Sequence, residues 1–281
     1  MTALEWIPVT DPYEELAELY ATQHEHQHNA LISQHEPQFD VDIAFETSTG
    51  KNHCVTFEML QNQSTQSKGQ TGFCLWDGSV CLAMVLSTYS KELGLAGSHV
   101  VELGAGSGLV SLSLMHNDPP VASIAATDQE ALLKHLQRNF AHHQARFPRL
   151  AKTAELNVAE LEWARNPSLF KRHPALRALG AGDSQGWDLI VSSDCVYNEY
   201  LVLDYVATLA DLLHRPNGLR ACALVCFELR SSEVTGLFLE TLLEHDLVVS
   251  RLAATLMPAG LHTSSLIVYL ITTAEEEEQQ E

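Results

Sequence analysis

HVVELGAGSGLVSLSLM, residues His99 to Met115, is an apolar run that ends in a glutamate, passes three glycines at alternate positions and continues as a second apolar run. The first run has the length of a strand, and the second opens a helix. Glycine after a strand lets the backbone turn tightly, and the missing Cβ lets a ligand lie against the main chain. The helix that follows supplies free N–H groups at its start. The spacing of Gly104, Gly106 and Gly108 is G-x-G-x-G, not the G-x-G-x-x-G of dinucleotide enzymes. Glu102, two positions before the first glycine, would repel a phosphate but accept an ammonium group.

The next strand, SIAATD, ends in Asp128. At the carboxyl end of a second strand an acid can accept both hydroxyls of a ribose. A turn acid closing the strand is the plainer alternative. Glu102, the glycines and Asp128 together suit a nucleoside that carries an amino-acid chain. S-adenosylmethionine fits that description; NAD fits less well, because nothing receives its pyrophosphate.

Outward from this stretch the chain alternates strand and helix, the pattern of an α/β domain with a mostly parallel sheet. Strands are expected at HVVELG, SIAATD, AELNV, WDLIVSSD and ACALVCFE. In QEALLKHLQRNFAHH, Leu132, Leu133, Leu136 and Phe140 share one helical face. DLVVSRL and SSLIVYLIT, joined by MPAGLHTS with no helix between, predict a closing antiparallel hairpin. Upstream, Glu14 to Leu31 reads as a helix, and VDIAF and VTFEM around ETSTGKN read as a second hairpin. The polar QNQSTQSKGQTG leads as a loop into FCLWDGSVCLAMVLSTY, a further helix. The expected organisation is an N-terminal extension over 1–66, a catalytic domain over 67–272 and a disordered acidic tail over 273–281.

VVELGAGSGLVSL, ATDQEALLKHLQRN, LNVAELEW and DLIVSSDCVYNEYLV resemble, in order and spacing, consecutive motifs of the seven-β-strand S-adenosylmethionine-dependent methyltransferases, in the branch that methylates protein lysines. ATDQE, DCVYNE and FELRSSEV are most similar to the fungal ribosomal-lysine methyltransferases of that branch. The similarity runs from about Gly69 to Thr272, and the N-terminal 60 residues carry no matching motif. The resemblance implies a Rossmann-like seven-stranded sheet ending in an antiparallel hairpin, with S-adenosylmethionine as cofactor. It implies that Trp76 lies beside the cofactor, that Trp163 packs on the adenine, and that Ser193 joins Glu102, Gly104, Gly106, Gly108 and Asp128 in the cofactor site. For Trp163 the alternative is a core tryptophan at an interface. Asp194 and Tyr197 form the D-x-x-Y pattern of the lysine-methylating enzymes, and these two are the expected catalytic residues. Asp194 is expected to hold the incoming lysine; the alternative is a cap on the helix beginning near Asn198 and Glu199.

Composition bounds the partners. The formal charge of −20 argues against direct nucleic-acid binding, which needs clustered Lys and Arg, and favours a basic protein partner. Part of that charge lies in the terminal AEEEEQQE. The six cysteines have no paired spacing, which points to a reducing compartment, and no apolar run approaches the ~20 residues of a membrane span. A cytoplasmic monomer is expected. HEHQH, His24 to His28, matches the H-E-x-x-H zinc pattern, and His35 with Glu36 could complete a site, but the surrounding segment is polar almost throughout and no metal is expected. GAGDSQG precedes a strand, the wrong order for a cofactor loop, and reads as a connector. Cys222 and Cys226 share one face of a strand and read as packing residues. The expected activity is protein-lysine N-methylation on a ribosomal or translation-associated protein. The rivals are a small-molecule methyltransferase and a cofactor-binding assembly factor without turnover.

Overall fold

The computed structural model describes residues 4–23, 32–34, 36–62, 71–150, 154–163, 186–214, 221–261 and 265–274. Its elements are β1 (Trp6–Val9), α1 (Pro12–Gln23), β2 (Gln38–Glu46), β3 (Asn52–Leu60), α2 (Asp77–Thr88), β4 (His99–Leu103), α3 (Leu109–Leu114), β5 (Ser123–Asp128) and α4 (Glu130–Arg146). The remainder are β6 (Glu155–Glu160), β7 (Leu189–Ser193), α5 (Glu199–Leu213), β8 (Cys222–Glu228), α6 (Ser232–Glu244), β9 (Leu247–Leu252) and β10 (Leu266–Thr273).

The main sheet runs β1-β9-β10-β8-β7-β4-β5-β6. Strands β4 to β8 pair in parallel, whereas β10 is antiparallel to both β8 and β9. From β4 the chain moves outward to β5 and β6, then returns on the other side of β4 with β7 and β8. The crevice at such a reversal, outside the carboxyl ends of the strands, is where α/β sheets bind ligands.

Alternate residues of each inner strand serve opposite layers. Val100, Ile124 and Val191 join one apolar cluster, with Leu82 and Leu86 of α2, while Val101, Ala125 and Ile190 join the other, with Leu209 of α5 and Phe238 of α6. Burial on both faces explains why these strands read as near-continuous apolar runs.

The seven expected strands are present, and an eighth joins them. Trp6–Val9 pairs antiparallel with β9, Trp6 opposite Leu252 and Val9 opposite Val249. Pro8 hides this strand from a sequence reading, but an edge strand tolerates proline. Helix α1 behind it is fastened by Arg251, whose Nε and Nη2 reach Glu15 and Glu18 at 2.7 Å each. The Tyr269 hydroxyl donates to the same Glu15 carboxylate at 2.9 Å. The expected helix to Leu31 is described only as far as Gln23, and His24 to Leu31 lie outside the described residues.

The second hairpin forms its own two-stranded sheet, with Val41 opposite Phe57 and Ile43 opposite Val55. Its inward face carries Val41, Ile43, Phe45, Phe57 and Met59, all buried. The helix facing it departs from the expected apolar stripe. Leu132, Leu136 and Phe140 of α4 are buried, but so are His135, Asn139 and His143, while Leu133 is only partly covered. The polar members earn their places through the hairpin: Asn139 accepts the Leu60 N–H at 2.8 Å and donates to the Leu60 carbonyl at 3.2 Å. His116 and His143 pair Nε2 to Nε2 at 2.8 Å, with Phe57 stacked on His143.

Candidate functional site

A cavity of about 390 Å³ opens at the carboxyl ends of β4, β5 and β7, within the size range of small-molecule sites. Its wall includes Gly104, Gly106, Gly108 and Asp128, together with Trp76, Trp163, Ser193, Asp194 and Tyr197. Nine of the ten residues expected from the sequence are thus brought together. The tenth, Glu102, stands apart.

The glycine loop is built by backbone demands. All three glycines have positive φ, between 52° and 85°. A Cβ on Gly108 would run into Phe140 and Leu136 of α4, and one on Gly104 would press against the Cys195 sulfur and the Trp163 ring. So Gly108 lets α4 close on the loop, and Gly104 keeps the cavity floor flat. The Gly106 N–H donates to Asp128 Oδ2 at 2.7 Å, and the Gln129 N–H donates to Asp128 Oδ1, also at 2.7 Å. Each oxygen retains a further acceptor site, which is what a ribose diol requires. Burial raises the Asp128 carboxyl to about 6, against the pull of those two N–H donors.

Glu102 has its partner on the helix that follows the loop. It is absent from the cavity wall, and its carboxylate accepts both the Ser111 N–H at 3.0 Å and the Ser111 hydroxyl. Burial pushes it up to about 8, the Ser111 bonds only partly opposing. Its carboxylate thereby anchors the six-residue helix α3 that follows the glycine loop.

Trp163 follows β6 and meets Tyr205 of α5 edge to face, centroids 5.0 Å apart, leaving it fixed where it borders the cavity opposite Gly104. Asp194 closes β7 with φ at 51°, in the left-handed region, and its N–H is held by the Cys226 carbonyl at 2.8 Å. Its Oδ2 accepts the Gly78 N–H at 2.7 Å and its Oδ1 accepts the Glu228 N–H at 3.2 Å. A Cβ on Gly78 would collide with this carboxylate. Burial raises Asp194 to about 6, opposed first by the charge of Arg230. The capping alternative therefore holds at a different helix: Asp194 caps α2, whereas Asn198 caps α5 by accepting the Tyr200 N–H at 3.0 Å. Tyr197, 43% exposed, stands at the rim.

Three residues that sequence reasoning passed over shape the same wall. The N–H of Leu75 donates to Gln61 Oε1 at 3.0 Å and its carbonyl accepts from Gln34 Nε2 at 3.2 Å. Gln61 in turn donates to the carbonyls of Ser33 and Glu36. Arg230, in the quoted FELRSSEV but given no role, lies over Trp76 with Cζ 4.6 Å from the ring centroid. Buried polar residues in a segment without motif, such as Gln61, leave no sequence signal.

A family model described as lysine methyltransferase matches residues 57–245. The chain belongs to the lysine methyltransferase family. Among curated relatives of this family member, Ribosomal lysine N-methyltransferase 5 of Lachancea thermotolerans is 30% identical over 171 residues, 54% of this chain and 49% of that one. Protein-lysine methyltransferase METTL21E of Mus musculus is 31% identical over 138 residues, 48% of this chain and 49% of its own. A Schizosaccharomyces pombe protein named diaminohydroxyphosphoribosylamino-pyrimidine deaminase is 30% identical over 178 residues, 62% of this chain but 38% of that one. The chain thus spans about half the length, or less, of these relatives. As a lysine methyltransferase family member it has a site whose glycine loop, ribose-ready Asp128 and flat Gly104 floor fit S-adenosylmethionine. Among the described residues no group of three or more His, Cys, Asp or Glu is arranged to hold a metal ion, and His24 to His28 and His35 lie outside them.

Proposed function

We propose that this chain is an S-adenosylmethionine-dependent protein-lysine N-methyltransferase. The observation that carries the reading is that one cavity is lined both by the glycine loop with Asp128 and by Asp194 with Tyr197. When bound, S-adenosylmethionine supplies an electrophilic methyl group. Gly104, Gly106 and Asp128 would hold its nucleoside and amino-acid portions, and Trp163 and Trp76 would flank it.

The chain's remaining task is to present lysine as a neutral amine in line with the methyl carbon. A lysine of ordinary pKa near 10.4 needs roughly 4 to 5 kcal/mol to do so near pH 7. The half-enclosed wall lowers that cost by disfavouring the ammonium. Asp194 keeps acceptor capacity beyond its two N–H bonds, so it holds the ammonium and then orients the amine as the proton leaves to water. Tyr197 offers a hydrogen bond or an aromatic face at the rim. Alignment, more than proton transfer, carries the rate.

The substrate we propose is a ribosomal or translation-associated protein in the cytoplasm. The names of the yeast relatives support this, and so does a net charge of −20, which steers basic partners toward the chain. We assign catalysis to 67–272 and a supporting role to 1–66. The experiment is to incubate the protein with methyl-labelled S-adenosylmethionine and a ribosome extract, comparing wild type with Tyr197→Phe and Asp194→Ala. A labelled protein band that weakens in both variants is the expected outcome; label confined to low-mass compounds would overturn it.

A further inference from the structure

Trp76 is braced on the cavity wall from several sides. The residue before it has both main-chain polar groups clamped by Gln61 and Gln34. Its own indole N–H donates to the Thr71 carbonyl at 3.1 Å. One ring face is covered by the Arg230 guanidinium at 4.6 Å. Arg230 is itself fixed, since Nε and Nη2 both reach Glu228 Oε2 at 2.8 Å. Ser265 steadies the other Glu228 oxygen at 3.3 Å, and the Glu228 main-chain N–H supports Asp194. Arg230 does not line the cavity, whereas Trp76 and Asp194 do.

From this geometry we propose that Arg230 is a positioning residue: clamped by Glu228, it fixes the Trp76 ring as a rigid wall beside Asp194, so that the end of the cavity receiving the amine has one shape. This rests on the methyl-transfer reading for its functional consequence, but not for the contact itself. A surface arginine paired with one carboxylate would ordinarily contribute little. Here the pair holds a cation against an indole, a contact with a preferred geometry. Without it the ring gains rotamers, and a wall that moves by an ångström degrades alignment of the reacting atoms.

The test is a double-mutant cycle on Arg230→Met and Trp76→Phe, with Arg230→Lys as the conservative variant. Two readouts are taken: kinetics of labelled methyl transfer to ribosome-extract protein, and the Trp76 fluorescence obtained by subtracting the Trp76→Phe spectrum. Arg230→Met is expected to lower kcat/KM about three- to tenfold, mostly in kcat, with Arg230→Lys recovering part. In the Trp76→Phe background the same change should cost less than about twofold, because the two residues act as one. The Trp76 emission should shift to the red and quench more readily with acrylamide in Arg230→Met. Losses that simply add, or a Trp76 emission indifferent to Arg230, would overturn the proposal. If wild type transfers no methyl to any protein, the functional reading falls, and the fluorescence still decides whether Arg230 holds the ring.

Discussion

The Asp194 carboxylate accepts the Gly78 N–H at 2.7 Å, joining the end of β7 to the first turn of α2 across the mouth of the cavity. One side chain therefore caps a helix and lines the cavity in which we propose the amine binds. Asp194→Ala should lose both roles: about 1 kcal/mol of stability from the cap, and most of the methyl transfer. Asp194→Asn keeps an acceptor for Gly78 but no charge for an ammonium. It should melt close to wild type yet turn over poorly, as thermal unfolding beside labelled transfer would reveal. Gly78→Ala should behave like Asp194→Ala in both readouts, since the new Cβ displaces the carboxylate from the Gly78 N–H without touching the glycine loop.

Asp194 sits at about 6 through burial, so it is ionised near neutral pH and protonated below. Activity should therefore fall as pH drops through about 6, close to tenfold per unit, because the neutral acid no longer holds an ammonium. Asp128, also raised by burial to about 6, would weaken ribose binding over the same window. Measuring kcat/KM against pH, with cofactor affinity followed in parallel, separates the two. A flat profile from 7 to 5 would exclude both.

Stability should respond to acid through a different pair. Burial lowers His116 to about 3 and His143 to about 4, below the ordinary 6.5. As pH falls below about 6.5 the unfolded chain takes up protons on these rings and the folded chain does not, so stability is lost on the way to about 4. Asp128 and Asp194 act in the opposite sense between about 4 and 6, but they are common to wild type and variant. A His116→Phe, His143→Leu double variant should lose less stability than wild type between pH 6.5 and 4, whichever is more stable at pH 7. Equal slopes in denaturant melts would contradict this.

Gln61→Leu removes the acceptor for the Leu75 N–H and the donor to two carbonyls in the segment before β2. Leaving the buried Leu75 N–H unpaired should cost about 1 to 3 kcal/mol. The loss should appear as a lower urea midpoint at unchanged m, together with weaker binding of S-adenosylhomocysteine by calorimetry, because residues 71–76 line the cavity.

Legibility in the sequence followed locality. The strand, glycine turn and carboxylate of His99 to Asp128 are set by short-range rules, and the positive φ at Gly104, Gly106 and Gly108 bears them out. The partner of Glu102 was not legible, because spacing places a residue along a strand but not on a side of the loop; only the packing of Ser111 shows where its carboxylate points. Asp194 was legible as a cap but not as a cap for α2, since Gly78 lies far away in the chain. Gln61 and Gln34 act through partners distant in the chain, and Arg230 meets Trp76 across such a distance, and no periodicity records that.

The pairing of Trp6 with Leu252 has a consequence for synthesis on the ribosome. Strand β1 is made well before its partner β9, and at about 5 to 20 residues per second it waits roughly 10 to 50 s for it. Until then Trp6–Val9 has no strand to pair with and is open to chaperones or proteases. Its late docking then covers the rim of β9 that would otherwise invite a stranger's strand. Synthesis of β9, more than two hundred residues after β1, is thus the event that seals this edge of the sheet.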